Sequence, residues 1–401
     1  MAAEQYQAPE SVSRLQQRAF IVGGVALLIS IFGAMRSPEV FYPAYLMSFM
    51  LILGLTVGSL GLLMLQHLTS GHWGIIIRRS LESATRTLPL LVVAFLPIVI
   101  FGMHYLYSGH EKETGWLNAP PTGEGALSDF QKNYLTRNGF YIRAVIYFAV
   151  WLLLMFIFNI LSKQQDDRPE DRALRLRFKM LAGPGIILYV FMMTFAAIDW
   201  VMSLSPHWAS TIYGFLFVAG QLISAMAFMI AVVVLLSRAE PFASVLQKRH
   251  LHDLGKLLLA FVMLWAYFDF SQLLIIWSGN QPEEISFYRT RLYGGWGVVA
   301  VIVLVFHFFV PFFLLLSQDV KRNAKVLPKI AMWLIFMRLV DLFWMTRPEF
   351  TSRAMPTWLD IVLPLGLGGV WLGFFAFNLK QCPILPLGDP KLAEAIEHHE
   401  H

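Results

Sequence analysis

Two acidic residues stand at matching places in the hydrophobic segments of this chain. Residues 199–210 and 341–352 both read Asp, six residues, Pro, any residue, an aromatic residue, any residue, Ser. A carboxylate inside a bilayer-spanning helix costs about 3 kcal/mol on insertion scales, so Asp199 and Asp341 each need a partner or a function. The repeated spacing predicts a duplicated helix bundle with one carboxylate in each half.

Further ionisable residues lie in the same hydrophobic segments, and together they suit proton transfer. The proton-relay candidates are Asp199, Asp269, His307, Arg338, Asp341 and Asp360. Pro311 and Pro364 follow His307 and Asp360 by four residues, and a proline removes the hydrogen bond to the carbonyl four residues before it. A freed carbonyl in lipid must find another partner, often water. A hydrated path for protons is favoured where a helix kink, a free carbonyl and a titratable side chain lie at the same depth in the membrane.

Each of these residues also has a structural interpretation. Arg338 and Asp341 are three residues apart on one helix face, so they could neutralise each other as a buried salt bridge. Asp199 could join neighbouring helices, and Asp253 is placed to act as the N-cap of the seventh helix. His67 is expected at the membrane interface.

Composition identifies a polytopic membrane protein. Of 401 residues, 57% are hydrophobic and 14% are charged, whereas a soluble protein carries about a quarter charged residues. The net charge of +5 follows membrane topology and does not indicate nucleic-acid binding. The single Cys382 excludes a disulfide framework, a CxxCH haem attachment and a cysteine-ligated iron–sulfur cluster. His67, His104 and His307 are expected at three different depths, so a bis-histidine haem is not predicted. No zinc-ligand spacing or nucleotide loop is present, and no metal site is predicted.

The hydropathy pattern predicts an all-α protein of about ten transmembrane helices, since each needs about 20 apolar residues. The predicted spans are 19–35, 42–66, 87–107, 140–162, 183–203, 211–236, 254–278, 294–316, 327–346 and 357–379. Phe140-Tyr141 opens the fourth helix and Phe287-Tyr288 opens the eighth, which pairs helices 4 and 5 with helices 8 and 9. This predicts two four-helix bundles, helices 2–5 (about 42–203) and helices 6–9 (about 211–346), with helices 1 and 10 peripheral. The membrane domain is 19–380, and residues 1–18 and 381–401 form the terminal segments.

The basic residues predict the orientation of the chain. With the N-terminus and the even-numbered loops on one side, that side holds 21 of the 31 Lys and Arg residues, and the opposite side holds nine. Basic residues accumulate in cytoplasmic loops. Both termini are therefore predicted to be cytoplasmic, in a multi-pass chain of the cytoplasmic membrane.

Several longer motifs resemble a known family. They occupy residues 199–211, 253–257, 261–272, 275–284, 307–312 and 317–323. The chain resembles the membrane subunits of bacterial alternative complex III, in the NrfD/polysulfide-reductase membrane-anchor superfamily. It is more similar to the shorter F subunit than to the C subunit, and the resemblance covers about residues 20–380.

The resemblance implies a subunit of a quinol:cytochrome c (or similar acceptor) oxidoreductase that supports quinol oxidation, proton translocation or both. It implies no redox cofactor on this chain, menaquinol or another quinol as the substrate, and haem and iron–sulfur clusters on partner subunits. Those partners would be a homologous C-type membrane subunit, an iron–sulfur/molybdopterin-like subunit and cytochrome c subunits. The family's quinol pocket uses a His and an Asp. The quinone-binding candidates are therefore Asp199, which matches that Asp, with His104 and Arg143.

Two other functions fit the same residues. The paired bundles and buried carboxylates are compatible with a proton-coupled secondary transporter, although such proteins usually have helices broken at corresponding places in both halves. A purely structural membrane anchor of a redox complex would tolerate neutral replacement of every buried Asp.

Overall fold

The computed structural model describes residues 6–71, 73–110, 113–123, 125–169, 171–240, 242–389 and 392. Ten long helical segments account for most of them. They are α1 Glu10–Arg36, α2 Pro38–Thr69, α3 Trp73–Tyr107, α4 Arg137–Asp167, α5 Arg172–Trp200, α6 Tyr213–Leu236, α7 Lys248–Gly279, α8 Trp296–Leu316, α9 Leu327–Thr346 and α10 Leu359–Leu379. Within the described residues, nine of the ten are long and apolar enough to cross a membrane. The tenth, α9, has 20 residues but carries Lys329, Arg338 and Asp341. The predicted all-α polytopic membrane class is confirmed.

Short elements connect the long helices. They are the antiparallel two-residue strands β1 Gly109–His110 and β2 Glu113–Thr114, the helices Asp129–Tyr134, Phe242–Val245, Pro282–Leu292 and Gln318–Arg322, and the 3₁₀ turns Met202–Leu204 and Arg347–Glu349. We call the side on which α1 begins and α10 ends the terminal side, and the opposite side the distal side. The backbone N–H of Ile384 donates to the carbonyl of Tyr6, so the two ends of the chain meet on the terminal side.

The long helices form two bundles around a central pair. In the first bundle α2 packs on α3 and α5, and α4 packs on α5; in the second bundle α6 packs on α7 and α9, and α8 packs on α7 and α9. The bundles meet where α2 packs against α6. These two helices are the most enclosed, with 94% and 78% of their apolar stretches buried. Helices α1 and α10 pack on each other at the edge of the molecule, beside α2.

Close helix approach depends on glycine at two contacts. A Cβ on Gly58 of α2 would lie 2.5 Å from the carbonyl oxygen of Gln221 on α6, and a Cβ on Gly23 of α1 would lie 2.5 Å from the amide nitrogen of Val370 on α10. Small residues let membrane helices approach until their backbones touch, which supplies the packing that lipid does not provide. A hydrogen bond of 2.7 Å from Trp371 Nε1 to Thr56 Oγ1 then joins α10 to α2.

Helical structure precedes three of the predicted apolar spans. Helix α1 begins at Glu10 and contains the predicted span 19–35. Segment α3 consists of a helix at Trp73–Thr85, whose charged residues are buried and paired, and a helix that begins at Leu88, where the span 87–107 was predicted. Helix α7 begins at Lys248 and is capped by Gln247, so Asp253 lies inside the helix and is not its N-cap.

The helices differ at Pro311 and Pro364. In α8, residues Leu304–Phe309 form a π-helical segment that includes His307 and ends two residues before Pro311. A second π-helical segment, Ile98–Gly102, follows Pro97 in α3. In α10 the helix continues through Pro364 without interruption.

Candidate functional site

Asp199 lies in a closed ion pair between α4 and α5. Its carboxylate accepts hydrogen bonds from Arg143 Nε (2.8 Å) and Nη2 (2.9 Å) and from the hydroxyl of Tyr147 (2.6 Å). The side chain of Asp199 is fully buried, while that of Arg143 is 19% exposed. The guanidinium of Arg143 also lies 3.9 Å from the centre of the Tyr134 ring. Both carboxylate oxygens are therefore bonded to protein groups, as in a structural junction between two helices.

The three quinone-binding candidates do not form one site. Arg143 and Asp199 are bonded to each other, but His104 is exposed near the distal end of α3. The His104 ring shares a hydrogen bond of 3.0 Å with the hydroxyl of Ser108 and lies edge-on to Tyr105. It shares no described contact with Asp199.

The second bundle contains a cavity that brings two other candidates together. It has a volume of about 610 Å³ and lies between α7, α8 and α9. Its walls are mostly apolar and aromatic, and Asp269 of α7 and Asp341 of α9 both line it, with Tyr288 from the preceding short helix. Among the described residues, Asp269 has no hydrogen-bond or ion-pair partner. The two carboxyl groups thus share one apolar space while only one of them is paired.

Arg338 holds Asp341 from within the bundle. The guanidinium Nη1 of Arg338 donates to Asp341 Oδ2, and both side chains are 3% exposed. This confirms the geometry predicted from their spacing. The guanidinium lies against Gly220 of α6, where a Cβ would be 2.3 Å from Arg338 Cζ, and 5.4 Å from the centre of the Phe217 ring. Glycine at 220 leaves the space that the arginine needs to reach its carboxylate.

His307 lies beside this cavity and is fully buried. It belongs to the π-helical segment of α8, and its ring meets that of Trp265 edge-on, with centroids 4.5 Å apart. Neither ring nitrogen has a hydrogen-bond partner among the described residues. A neutral imidazole carries one donor and one acceptor, and buried polar groups are nearly always bonded. His307 is therefore available to a small polar species, such as a proton-carrying water.

A short hydrogen-bond chain connects the cavity to the distal side. The hydroxyl of Ser210 donates to Gln272 Oε1 (3.1 Å), and Gln272 Nε2 donates to the hydroxyl of Tyr288 (3.3 Å). Ser210 also lines a second cavity of about 400 Å³ at the loop between α5 and α6. The polar contacts of Gln272 thus join the two cavities. Neither Gln272 nor Tyr288 was predicted from the sequence to be a site residue.

Asp360 belongs to a separate cluster on the distal side. Its Oδ2 accepts hydrogen bonds from the Thr357 backbone N–H and hydroxyl, both at 2.7 Å, and its Oδ1 lies 3.4 Å from Arg347 Nε. These contacts fix the beginning of α10. Among the described residues, Asp360 shares no hydrogen bond or ion pair with Asp269, His307, Arg338 or Asp341, the other candidates of the second bundle.

A buried ionic cluster in the first bundle was missed. Glu82 of α3 pairs with Arg78 (3.1 Å) and Arg79 (2.7 Å), and the Ser162 hydroxyl donates to Glu82 (2.6 Å). Arg79 also pairs with Asp166 at the end of α4. The spacing of Glu82, three and four residues after two arginines, could have indicated ion pairs on one helix face.

Among the described residues, no three His, Cys, Asp or Glu side chains are grouped so that they could hold a metal ion. No protein-family model matches the chain, and no curated protein matches it either.

Proposed function

We propose that this chain is a non-haem membrane subunit of a bacterial quinol:acceptor oxidoreductase, and that its second bundle transfers protons. The motifs described above support the first part. The single observation that supports the second part is that Asp269 and Asp341, from two helices, line one cavity while Arg338 pairs with only one of them.

The two carboxyl groups differ in whether a positive charge compensates them. An unpaired carboxyl group in an apolar cavity is favoured in its neutral, proton-carrying form, because an isolated buried charge is costly. The Arg338 guanidinium compensates a charge on Asp341, so protonation of Asp341 breaks an ion pair. A proton that reaches Asp341 therefore frees Arg338 from its partner, and return of that proton to Asp269 or to water restores the pair. Gln272 and Tyr288 supply polar contacts toward the distal side.

The first bundle has a different function in this proposal. Because Asp199 is fully buried and bonded to Arg143 and Tyr147, we propose that this pair holds α4 and α5 together. Quinol would then bind at a neighbouring membrane subunit or at a shared surface.

The test begins with the intact complex. A tag on this chain should recover, in mild detergent, a large haem-containing assembly with quinol:acceptor activity. A colourless, inactive chain recovered alone, under conditions that preserve other respiratory complexes, would contradict the oxidoreductase proposal and favour a transporter.

The proton proposal is then tested in liposomes containing the complex. Asp269→Asn should assemble normally but lose most quinol-driven proton movement, measured with a pH-sensitive dye alongside the rate of quinol oxidation. Asp341→Asn should show the same loss in a less stable complex, because it leaves the buried Arg338 guanidinium without its carboxylate. Glu283→Gln, at an exposed carboxylate on the distal side, is the matched control. If both Asn variants move as many protons per quinol as the control, Asp269 and Asp341 are structural.

A further inference from the structure

A basic cavity lies at the terminal side of the first bundle, away from the carboxylates of the second. It has a volume of about 440 Å³ and lies between the end of α2, the beginning of α3 and the first turns of α5. Its lining includes Gln66, His67, Arg78, Arg172, Arg175 and Lys179. None of these residues takes part in the proposed proton transfer.

The cationic groups of this cavity are incompletely neutralised. Arg78 is paired with Glu82 and with Asp389, which is the only acidic residue among the described lining residues. Arg172, Arg175 and Lys179 form no ion pair with a described carboxylate, and Arg172 and Lys179 are exposed at the rim. The cavity therefore presents positive charge to an entering ligand.

Two buried polar side chains in the same cavity lack partners. Gln66 and His67 are 4% and 7% exposed, and neither Gln66 Oε1 nor His67 Nε2 has a hydrogen-bond partner among the described residues. The His67 ring is stacked on Phe178, with centroids 4.1 Å apart, and on Phe158 at 5.6 Å, so its position is fixed. A buried polar group without a hydrogen bond destabilises a protein. An anionic ligand that accepts a hydrogen bond from the His67 Nε2–H group and donates a hydroxyl to Gln66 Oε1 is favoured for that reason as well as by charge.

We propose that this cavity binds a phosphate group, with Arg172 and Lys179 at its rim and His67 at its base. The source we expect is the headgroup of an anionic phospholipid, whose hydroxyl groups can donate to Gln66. The cavity lies where α2 ends and α5 begins, at the ends of two candidate membrane spans, and basic pockets between membrane helices recognise such headgroups. Free phosphate has the same chemistry and is distinguished by the experiment.

The experiment measures the thermal unfolding midpoint of the full chain in neutral detergent as ligand is added. The three probes are phosphatidylglycerol, diacylglycerol, which has no phosphate, and inorganic phosphate. Phosphatidylglycerol should raise the midpoint of the wild-type chain in a saturable manner. The Arg172→Gln/Lys179→Gln variant should need about 25-fold more lipid for half of the effect, since each basic residue near an anionic headgroup contributes about fivefold.

Two further variants make the test specific. Arg177→Gln removes an equally exposed charge from α5 that does not line the cavity, and it should bind as the wild-type chain does. His67→Phe keeps the ring stack but removes the nitrogen, and it should weaken binding. Stabilisation by inorganic phosphate, lost in the same variants, would confirm the site and assign it to the free ion. Equal stabilisation by diacylglycerol, or equal weakening in Arg177→Gln and the double variant, would overturn the proposal.

Discussion

Removing Arg143 should show whether Asp199 is a structural junction. Its replacement by leucine leaves the fully buried Asp199 carboxylate with the Tyr147 hydroxyl as its only described side-chain donor. Replacing both partners, as Arg143→Leu/Asp199→Leu, removes the charge together with its partner. The single and double variants therefore test opposite consequences of the same contact.

The expected magnitude follows from the geometry of the pair. Two charge-assisted hydrogen bonds of 2.8 and 2.9 Å are lost with Arg143, each worth about 1.5–3 kcal/mol. Breaking a buried pair typically costs about 3–5 kcal/mol. Because the Arg143 side chain is 19% exposed, we expect a loss near the lower limit, about 3 kcal/mol. The double variant should be closer to the wild-type chain, since replacement of a whole buried pair by apolar residues is often neutral.

The assay is reversible unfolding of the full chain in lipid–detergent micelles, titrated with a denaturing detergent and followed by tryptophan fluorescence. Arg137→Leu, at the exposed first residue of the same helix α4, controls for loss of a distal-side arginine. If Arg143→Leu unfolds within about 1 kcal/mol of that control, or if the double variant is less stable than the single variant by a further 3 kcal/mol, the interpretation of Asp199 as a charge compensated by Arg143 is refuted.

Three further predictions concern packing, the first-bundle cluster and titration. Gly220→Ala would place a Cβ 2.3 Å from Arg338 Cζ and should cost about 1–3 kcal/mol in the same unfolding assay. Gly54→Ala, whose Cβ would make an ordinary 3.4 Å contact, should change little. Glu82→Gln leaves two buried guanidinium groups without their shared carboxylate and should cost about 3–5 kcal/mol; a loss below 1 kcal/mol would contradict the burial of that cluster. Burial, with a smaller effect of the negative charge of Asp199, raises the pKa of Tyr134 to about 12. Tyr134 should therefore remain protonated below that pH, and a tyrosinate absorbance difference between the wild-type chain and Tyr134→Phe near pH 10 would contradict this assignment.

Hydropathy and short-range spacing predicted the parts of the fold that depend on local physics. Bilayer thickness sets the length of an apolar helix, so most spans could be placed from composition alone. The contact between Arg338 and Asp341 could be predicted because both residues lie on one turn of one helix. The distortion beside His307 could be predicted because proline acts on a carbonyl four residues away.

Contacts between distant residues could not be predicted from one sequence. The helix Trp73–Thr85 was not predicted because Arg78 and Arg79 resemble loop residues until Ser162 and Asp166, more than 80 residues later, are placed beside them. The shared cavity of Asp269 and Asp341 depends on how α7, α8 and α9 pack. His104 is separated from Asp199 because it lies on an exposed side of α3. The sequence of a short apolar segment does not show which side of its helix is exposed.

The pairing of α1 with α10 has a consequence for the synthesis of the chain. More than 300 residues separate the end of α1 from the beginning of α10, and ribosomes add about 5–20 residues per second. The first helix therefore resides in the bilayer for roughly 15 to 60 seconds before its partner is made. During that interval the contact face of α1, which includes Gly23, meets lipid or a chaperone of membrane insertion. Docking of that face of α1 thus waits for the arrival of α10, and a chain truncated before α10 would leave the face around Gly23 without its partner helix.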